Sequence, residues 1–271
     1  MARRAARRQD PRHWVRRSVS PPPPPSPIPL VPRGVILTTP DGILTNQLAH
    51  SLGPTGSIHG IDASPAMIAA SKRDAATAKL NATYEVVDCT LLPAFAALQQ
   101  GSYDKVFSNA ALHWILRAPE TREDVFSGAA AALAPGGSLV FEMGGQGNVA
   151  ELRAALLSAV GRRIGVGEAR RVDPWFFPDE EWIRHVLAKT GFEVQQLELE
   201  YRPTRCEEGA GGGVEGWMRL MGKVFFDAVG DGEERERCLE EVLETLETVV
   251  HAPSGGYLMG YVRLRVKARK I

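Results

Sequence analysis

From residue 35 to residue 143, short apolar runs alternate with stretches of helical spacing, and few architectures accommodate that alternation. The runs are "VILT" (35–38), "SIHGID" (57–62), "ATYEVVD" (82–88), "YDKVFSNA" (103–110) and "GSLVFEM" (137–143). Between them, residues 43–52, 64–79 and 121–133 carry apolar side chains at helical intervals. Ser64-Pro65 opens the second stretch with a capping hydroxyl and a proline suited to a first helical turn. A strand that continues into a helix returns parallel to itself, so the pattern predicts β-α-β units and an α/β, Rossmann-like, doubly wound sheet.

The last third changes character. "PDEEWIRHVLAKTGFEV" predicts a helix ended by Gly191, and "FEVQQLELEYRP" a strand. The glycine-rich "EEGAGGGVEG" reads as a surface loop, since it lacks the lysine and Ser/Thr of a phosphate loop. After "WMRLMGKVFFDAV" and a charged helix, "EERERCLEEVLETLETVV", the chain closes on "GYLMGYVRLRVKAR", whose apolar residues largely alternate. Two adjacent C-terminal strands are therefore expected to finish the sheet as an antiparallel pair.

Residues 1–34 are unlike the rest. "MARRAARRQDPRHWVRR" is crowded with arginine, and "SVSPPPPPSPIPLVPRG" favours polyproline conformation. We read a disordered arm and stiff linker ahead of one domain at 35–271. A nucleic-acid patch, a proline-motif ligand and a mitochondrial presequence compete with that reading, and Pro11 interrupts the amphipathic helix a presequence needs. The 271-residue chain has zero formal net charge, which excludes a global field directed at nucleic acid or membrane. No apolar run approaches the roughly 20 residues of a membrane span. The three cysteines are far apart and unpaired in sequence, so no metal site is expected, and a reducing, cytoplasmic setting is.

Open parallel sheets bind ligands beyond the carboxyl ends of their strands. Asp62 stands there after the second run, Asp88 after the third, and "SNAALHW" (108–114) after the fourth. Asp62 lies about 20 residues past the first turn, where an acid can take ribose hydroxyls, but it also precedes Ser64-Pro65, where it could simply cap a helix.

In order and spacing, "GIDASPAMI", "VVDCTLLP", "YDKVFSNAALHWI" and "LAPGGSLVFEMGG" resemble the class I S-adenosylmethionine-dependent methyltransferases. The likeness is greatest to the trans-aconitate-methyltransferase-like branch, which acts on small molecules. "WFFPDEEWIRHVLAKTGFEV", "EGWMRLMG" and "GYVRLRVKAR" look like that branch's substrate-side segments. The resemblance implies about seven strands, the last antiparallel, and S-adenosyl-L-methionine as cofactor. It implies that Asp62 holds the ribose, that Ala63 and Met67 flank the adenine, and that Asp88, with Cys89 beside it, meets the adenine amino group. Asn109, Ala110 and the His113-Trp114 pair would line the methyl-transfer site. The implied partner is a small-molecule methyl acceptor, a carboxylic acid being one class, taken by a monomer.

The first turn departs from the family. Where the family has an acid and then Gly-x-Gly-x-Gly, this chain has Ile36, Thr38, Pro40 and only Gly42. The missing acid would hold the cofactor's ammonium, and the missing glycines would let the backbone approach it. Such losses weaken binding by about two or more orders of magnitude. Residues 1 to about 40 read as an altered start joined to an intact methyltransferase body. Two other functions stay open: a non-catalytic binding or regulatory protein on the same fold, and a dinucleotide-dependent oxidoreductase. The last lacks its G-x-G-x-x-G.

Several residues carry two readings. His113 could be a general base or a pocket wall, because methyl transfer gains mostly from proximity and many such sites need no base. Trp175, Phe176 and Phe177 could wall a substrate pocket or pack a lid helix. Arg202, Arg263 and Arg265 could grip a carboxylate or sit on the wet face of a strand.

Overall fold

The computed structural model describes residues 33–37, 43–53, 55–206 and 212–271. The arginine-rich arm, residues 38–42 with Thr38, Pro40 and Gly42, and residues 207–211 of the glycine-rich stretch lie outside the described residues. Residues Val31–Ile271 group as one unit.

Seven strands pair in one sheet: β1 (Arg33–Leu37), β2 (Ser57–Asp62), β3 (Ala82–Val86), β4 (Tyr103–Asn109), β5 (Leu133–Gly144), β6 (Phe192–Tyr201) and, after the ribbon strands β7 (Thr204–Cys206) and β8 (Tyr257–Met259), β9 (Val262–Lys270). Their spatial order is β3-β2-β1-β4-β5-β9-β6. The pairs among β1 to β5 are parallel, whereas β9 runs antiparallel to both β5 and β6. The expected antiparallel C-terminal pair is β6·β9.

The helices are α1 (Ile43–Leu52), α2 (Pro65–Thr77), α3 (Leu112–Ile115), α4 (Arg122–Ala132), α5 (Ala150–Ile164), α6 (Val166–Val172), α7 (Glu180–Lys189), α8 (Gly213–Met221), α9 (Lys223–Val229) and α10 (Glu233–Val250). Side chains alternate across a strand, and the two faces of the sheet are clad separately. Val106, Leu139, Phe141, Leu264 and Val266 pack against Val125 and Phe126 of α4 and Ile183, Val186 and Leu187 of α7. On the other face Ala49 of α1 meets Ile58 and Phe107, and Ile68 and Ala75 of α2 meet Tyr84. Gly60 is required there, because a Cβ at that position would fall 2.5 Å from the Tyr84 ring.

A second core is built from helices and the β7·β8 ribbon, without the seven-stranded sheet. Leu152, Leu156 and Val160 of α5, Met218 of α8, Phe225 and Phe226 of α9, and Leu239, Val242 and Leu246 of α10 bury one another, with Trp175 at the edge. This helical cap is the part of the fold that the strand pattern does not foreshadow. Neither α5, α6 nor the β7·β8 ribbon is among the elements expected from the sequence.

Four chain crossings join cap and sheet, and they are bonded to one another. Gly145 N–H donates to Val262 O (3.1 Å), Val149 N–H to Gly260 O (2.9 Å), Arg202 N–H to Tyr261 O (2.7 Å) and Gln146 N–H to Pro178 O (2.8 Å). The buried Asn148 accepts from Val262 N–H at 2.9 Å. Val149, β-branched and left-handed at φ +45°, is a strained turn held by these contacts.

Candidate active site

Asp62, Ala63, Asp88, Cys89, Ala110 and Trp114 line one cavity of about 300 Å³ at the carboxyl ends of β2, β3 and β4, together with Ala111 and Ile115. These residues come from three separate β-α turns, and the alternation of the fold brings them together. Gly42 lies outside the described residues. Met67 is half-buried on α2, its N–H donating to the Ser64 hydroxyl, which is the actual N-cap. Asn109 lines instead a separate, open groove of about 800 Å³ with Phe107, Val140, Glu142 and Arg265.

Asp62 does not cap α2. Its Oδ1 accepts from Ser64 N–H at 2.7 Å, which fixes the carboxylate across the turn, and its other oxygen has no partner among the described residues. Partial burial pushes its pKa up, against the lowering effect of the Ser64 bond. Asp88 caps the short 3-10 turn Cys89–Ala94, its Oδ1 accepting from Thr90 N–H at 2.9 Å and Thr90 Oγ1 at 2.8 Å. Each acid thus spends one oxygen on local structure. Cys89 is buried between them, and burial with both carboxylates pushes its thiol up to about 12, so it is a packed wall and no nucleophile. Ala110 adopts φ +52° and donates its N–H to Glu142 O at 2.9 Å, turning the chain sharply at the cavity floor.

A hydrogen-bond acceptor for a diol, a second carboxylate further along the sheet edge and an apolar wall of Trp114, Ile115 and Cys89 fit the nucleoside half of an S-adenosyl cofactor.

Beyond Trp114 the rings continue. Trp114 meets Trp175 edge-on at 5.6 Å, and Trp175 stacks on Phe177 at 6.0 Å with planes 17° apart. Trp175 also contacts Trp217 and Phe225, so it belongs to the cap core. Phe176 faces the other way, packed against the sheet core and Trp182, with the Arg122 guanidinium 3.4 Å above its ring. In this extended segment alternate side chains part company. The Phe177 ring, not that of Phe176, therefore lies beside the His113 ring, at 5.7 Å, while Phe176 N–H donates to His113 O at 2.9 Å.

His113 is 9% exposed, and its Nδ1 accepts from Gly144 N–H at 3.3 Å. Burial, with the Arg263 charge adding to it, pushes its pKa down to about 4. The ring is neutral near pH 7 and its one acceptor nitrogen is already bonded, which leaves no lone pair for base catalysis.

The arginines separate cleanly. Arg265 is taken by Glu142 (2.7 Å) and Glu200 (2.6 Å), and Arg202 is exposed. Arg263 lies with its guanidinium 4.4 Å over the Tyr261 ring, its nearest carboxylate Glu142 at 3.8 Å. Arg153, which the sequence did not single out, gives its Nε to the buried Asp173 at 2.6 Å and stands 5.4 Å from the Phe177 ring. Tyr261 and Trp217 are joined by an indole N–H bond to the phenol oxygen, 2.7 Å. Among the described residues no group of three or more potential ligands could hold a metal ion, and no helix is long and apolar enough to cross a membrane.

Strand order and paired strand-end acids define a doubly wound fold with a cavity where such folds take their ligands. A methyltransferase-domain family profile matches residues 38–137. An uncharacterized methyltransferase of Schizosaccharomyces pombe is 32% identical over 234 residues, covering 85% of this chain and 83% of that one. Trans-aconitate 2-methyltransferase of Klebsiella pneumoniae is 26% identical over 232 residues, 84% and 82% of the two chains. Among solved structures, phosphoethanolamine N-methyltransferase 2 of Haemonchus contortus with S-adenosyl-L-methionine superposes with a TM-score of 0.53 at 20% identity, over 90% of this chain and 50% of that one. The chain belongs to the class I S-adenosylmethionine-dependent methyltransferases.

The role of Asp62 separates from its structural bond in one variant. Asp62→Ala should weaken S-adenosylmethionine binding by about 1–3 kcal/mol, the cost of a lost charge-assisted bond, while removing the Ser64 contact costs about 1 kcal/mol of stability. Titration calorimetry and urea unfolding of the same protein measure both. An unchanged affinity with lowered stability would make Asp62 a turn residue only.

Proposed function

We propose that this chain transfers the methyl group of S-adenosylmethionine to a small carboxylic acid. The observation that carries the reading is the placing of Asp62 and Asp88 on one cavity at the ends of successive parallel strands. Bound there, the cofactor supplies an electrophilic methyl on a sulfonium. Asp62 orients the ribose through its unengaged oxygen, Asp88 stands at the adenine edge, and Trp114 and Ile115 exclude water from between them.

The acceptor class follows from what surrounds His113. A hydroxyl or ammonium acceptor gains from a base, whereas a carboxylate arrives deprotonated at neutral pH and gains nothing from one. His113 has no lone pair to spare. Two guanidinia border the same rings, Arg153 beyond Phe177 and Arg263 beside His113, and neither has all its N–H donors engaged among the described residues. Paired arginines suit an acid with more than one carboxylate. The Klebsiella relative, named for trans-aconitate, makes that tricarboxylate the first acceptor to try.

A second reading, a binding protein that has lost the cofactor, rests on Ile36, Thr38 and Pro40 in the first turn. Calorimetry with S-adenosylmethionine, and with NAD as control, separates the two. The chain as it stands should bind S-adenosylmethionine weakly. Ile36→Asp with Thr38→Gly and Pro40→Gly should tighten binding by about 100-fold, by restoring an ammonium partner and close backbone approach. Formation of S-adenosylhomocysteine with trans-aconitate then reads the activity. A folded triple variant with no gain in affinity would sink the methyltransferase reading of this turn. Micromolar binding by the unaltered chain would show that the turn is competent as it is.

A further inference from the structure

We propose that His113 is a fixed hydrogen-bond donor to the methyl acceptor, with Gly144 as the positioning residue that sets its tautomer. The inference rests on the functional reading above and adds a residue role to it. Gly144 ends β5, and its N–H points at Nδ1 of His113. A neutral imidazole carries one proton, so with Nδ1 accepting, that proton sits on Nε2. Nε2 has no partner among the described residues, and although the side chain is nine-tenths buried, this nitrogen is not itself sealed off. A donor open in this way is met by water until a ligand brings an acceptor to it.

The surroundings say where such a ligand lies. The His113 ring lies 5.7 Å from Trp114, which lines the cofactor cavity, and 5.7 Å from Phe177, which faces the Arg153 guanidinium. The charged group acting on the ring is Arg263 of β9, a cation that opposes protonation; the neighbouring Trp114, Phe177 and Gly144 bring no charge. His113 thus stands between the methyl donor's site and the two guanidinia, and offers one directional N–H there.

Gly144 can serve because it has no side chain. A Cβ there would fall 2.5 Å from Phe177 Cε1 and 2.7 Å from Asn148 Nδ2. Its N–H is aimed by the β5·β9 pairing, where Gly144 stands opposite Arg263. Strand register therefore fixes the ring before any ligand arrives.

The test is the tautomer, then its response. In protein labelled with ¹⁵N-histidine, the His113 signal, identified by its loss in His113→Gln, should show an unprotonated Nδ1 and a protonated Nε2. It should not titrate between about pH 5.5 and 8, where a solvent-exposed histidine does. A protonated Nδ1, or a midpoint near 6.5, overturns the proposal. These spectra need neither cofactor nor turnover, so a chain that fails to bind S-adenosylmethionine would defeat the functional reading and leave this result standing. Adding S-adenosylhomocysteine and trans-aconitate should shift the Nε2–H resonance. If the Trp114 indole shifts and Nε2–H does not, the donor role is wrong. In turnover, His113→Leu should lose about 10- to 100-fold in kcat/KM, chiefly through KM, and His113→Gln, whose amide also donates, should recover most of it. Equal losses in the two variants would reduce His113 to a packing residue.

Discussion

Replacing Trp175 with alanine is expected to lower the unfolding free energy by about 3–5 kcal/mol, measured by urea denaturation. Trp175 is 6% exposed and meets four other aromatic rings: Trp114, Phe177, Trp217 and Phe225. Its backbone N–H is held by the buried Asp173 at 3.1 Å. Removing the indole empties space between rigid rings that cannot collapse into it, so the cavity penalty adds to the lost burial. Each oriented ring pair contributes about 0.5–1.5 kcal/mol beyond area. Trp175→Phe should recover most of the loss. A drop below about 1 kcal/mol for the alanine variant would show that Trp175 is a pocket wall with little part in the core.

Stability should also fall with acid in a way that belongs to His113. Its folded pKa is depressed from 6.5 to about 4, so protonation is disfavoured in the native state. Below about pH 6.5 the unfolded chain takes up a proton that the folded chain refuses. The stabilisation is therefore complete above 6.5 and drains away as pH falls towards 4, about 3 kcal/mol in all. His59 is also lowered, by burial, with Glu85 opposing, so the difference between wild type and His113→Gln is the informative curve. That difference should shrink steadily from pH 7 to 4. Parallel curves would mean that His113 titrates as freely in the folded chain as in the unfolded one.

Much of this fold is written locally in the chain. The run "SIHGID" is β2 residue for residue, and the helix expected over 43–52 is α1. Ser64 caps α2 through Met67 N–H as its place before Pro65 suggests, and Gly191 ends α7 at φ +85°. Asp62, Asp88, Ala110 and Trp114 could be picked out because strand ends in an open parallel sheet converge by topology. The first strand was displaced, observed at Arg33–Leu37 against an expected 35–38, since Arg33 and Gly34 carry no apolar signal and are drawn in by pairing with Ser57 and Ile58.

What stayed hidden depends on distant partners. Nothing in "GEARRVDPWFFPD" announces that Trp175 and Phe177 turn to the cap while Phe176 turns to the sheet. Arg153 looks like any helix arginine until Asp173, twenty positions on, binds it. The spacing of Arg263 and Arg265 puts them on one strand face, but Glu142 and Glu200, from two other strands, decide that only Arg265 is consumed. Nothing local marks Gly144, and its hold on His113 appears only when β5 and α3 are brought together.

The position of β9 has a consequence for how the chain is made. It is the last strand in sequence yet lies inside the sheet, between β5 and β6. While the ribosome is still extending the chain, both neighbours present unpaired edges, and edges of this kind recruit other chains. Closure has to wait for residues that pair across more than a hundred positions, from Met143 to Leu264. Long-range pairing of that sort is slow. Until it happens, Arg263 and Gly144 are not opposite one another. The contacts that Arg263 and Gly144 make are therefore completed late, after Asp62 and Asp88 have long been available to fold.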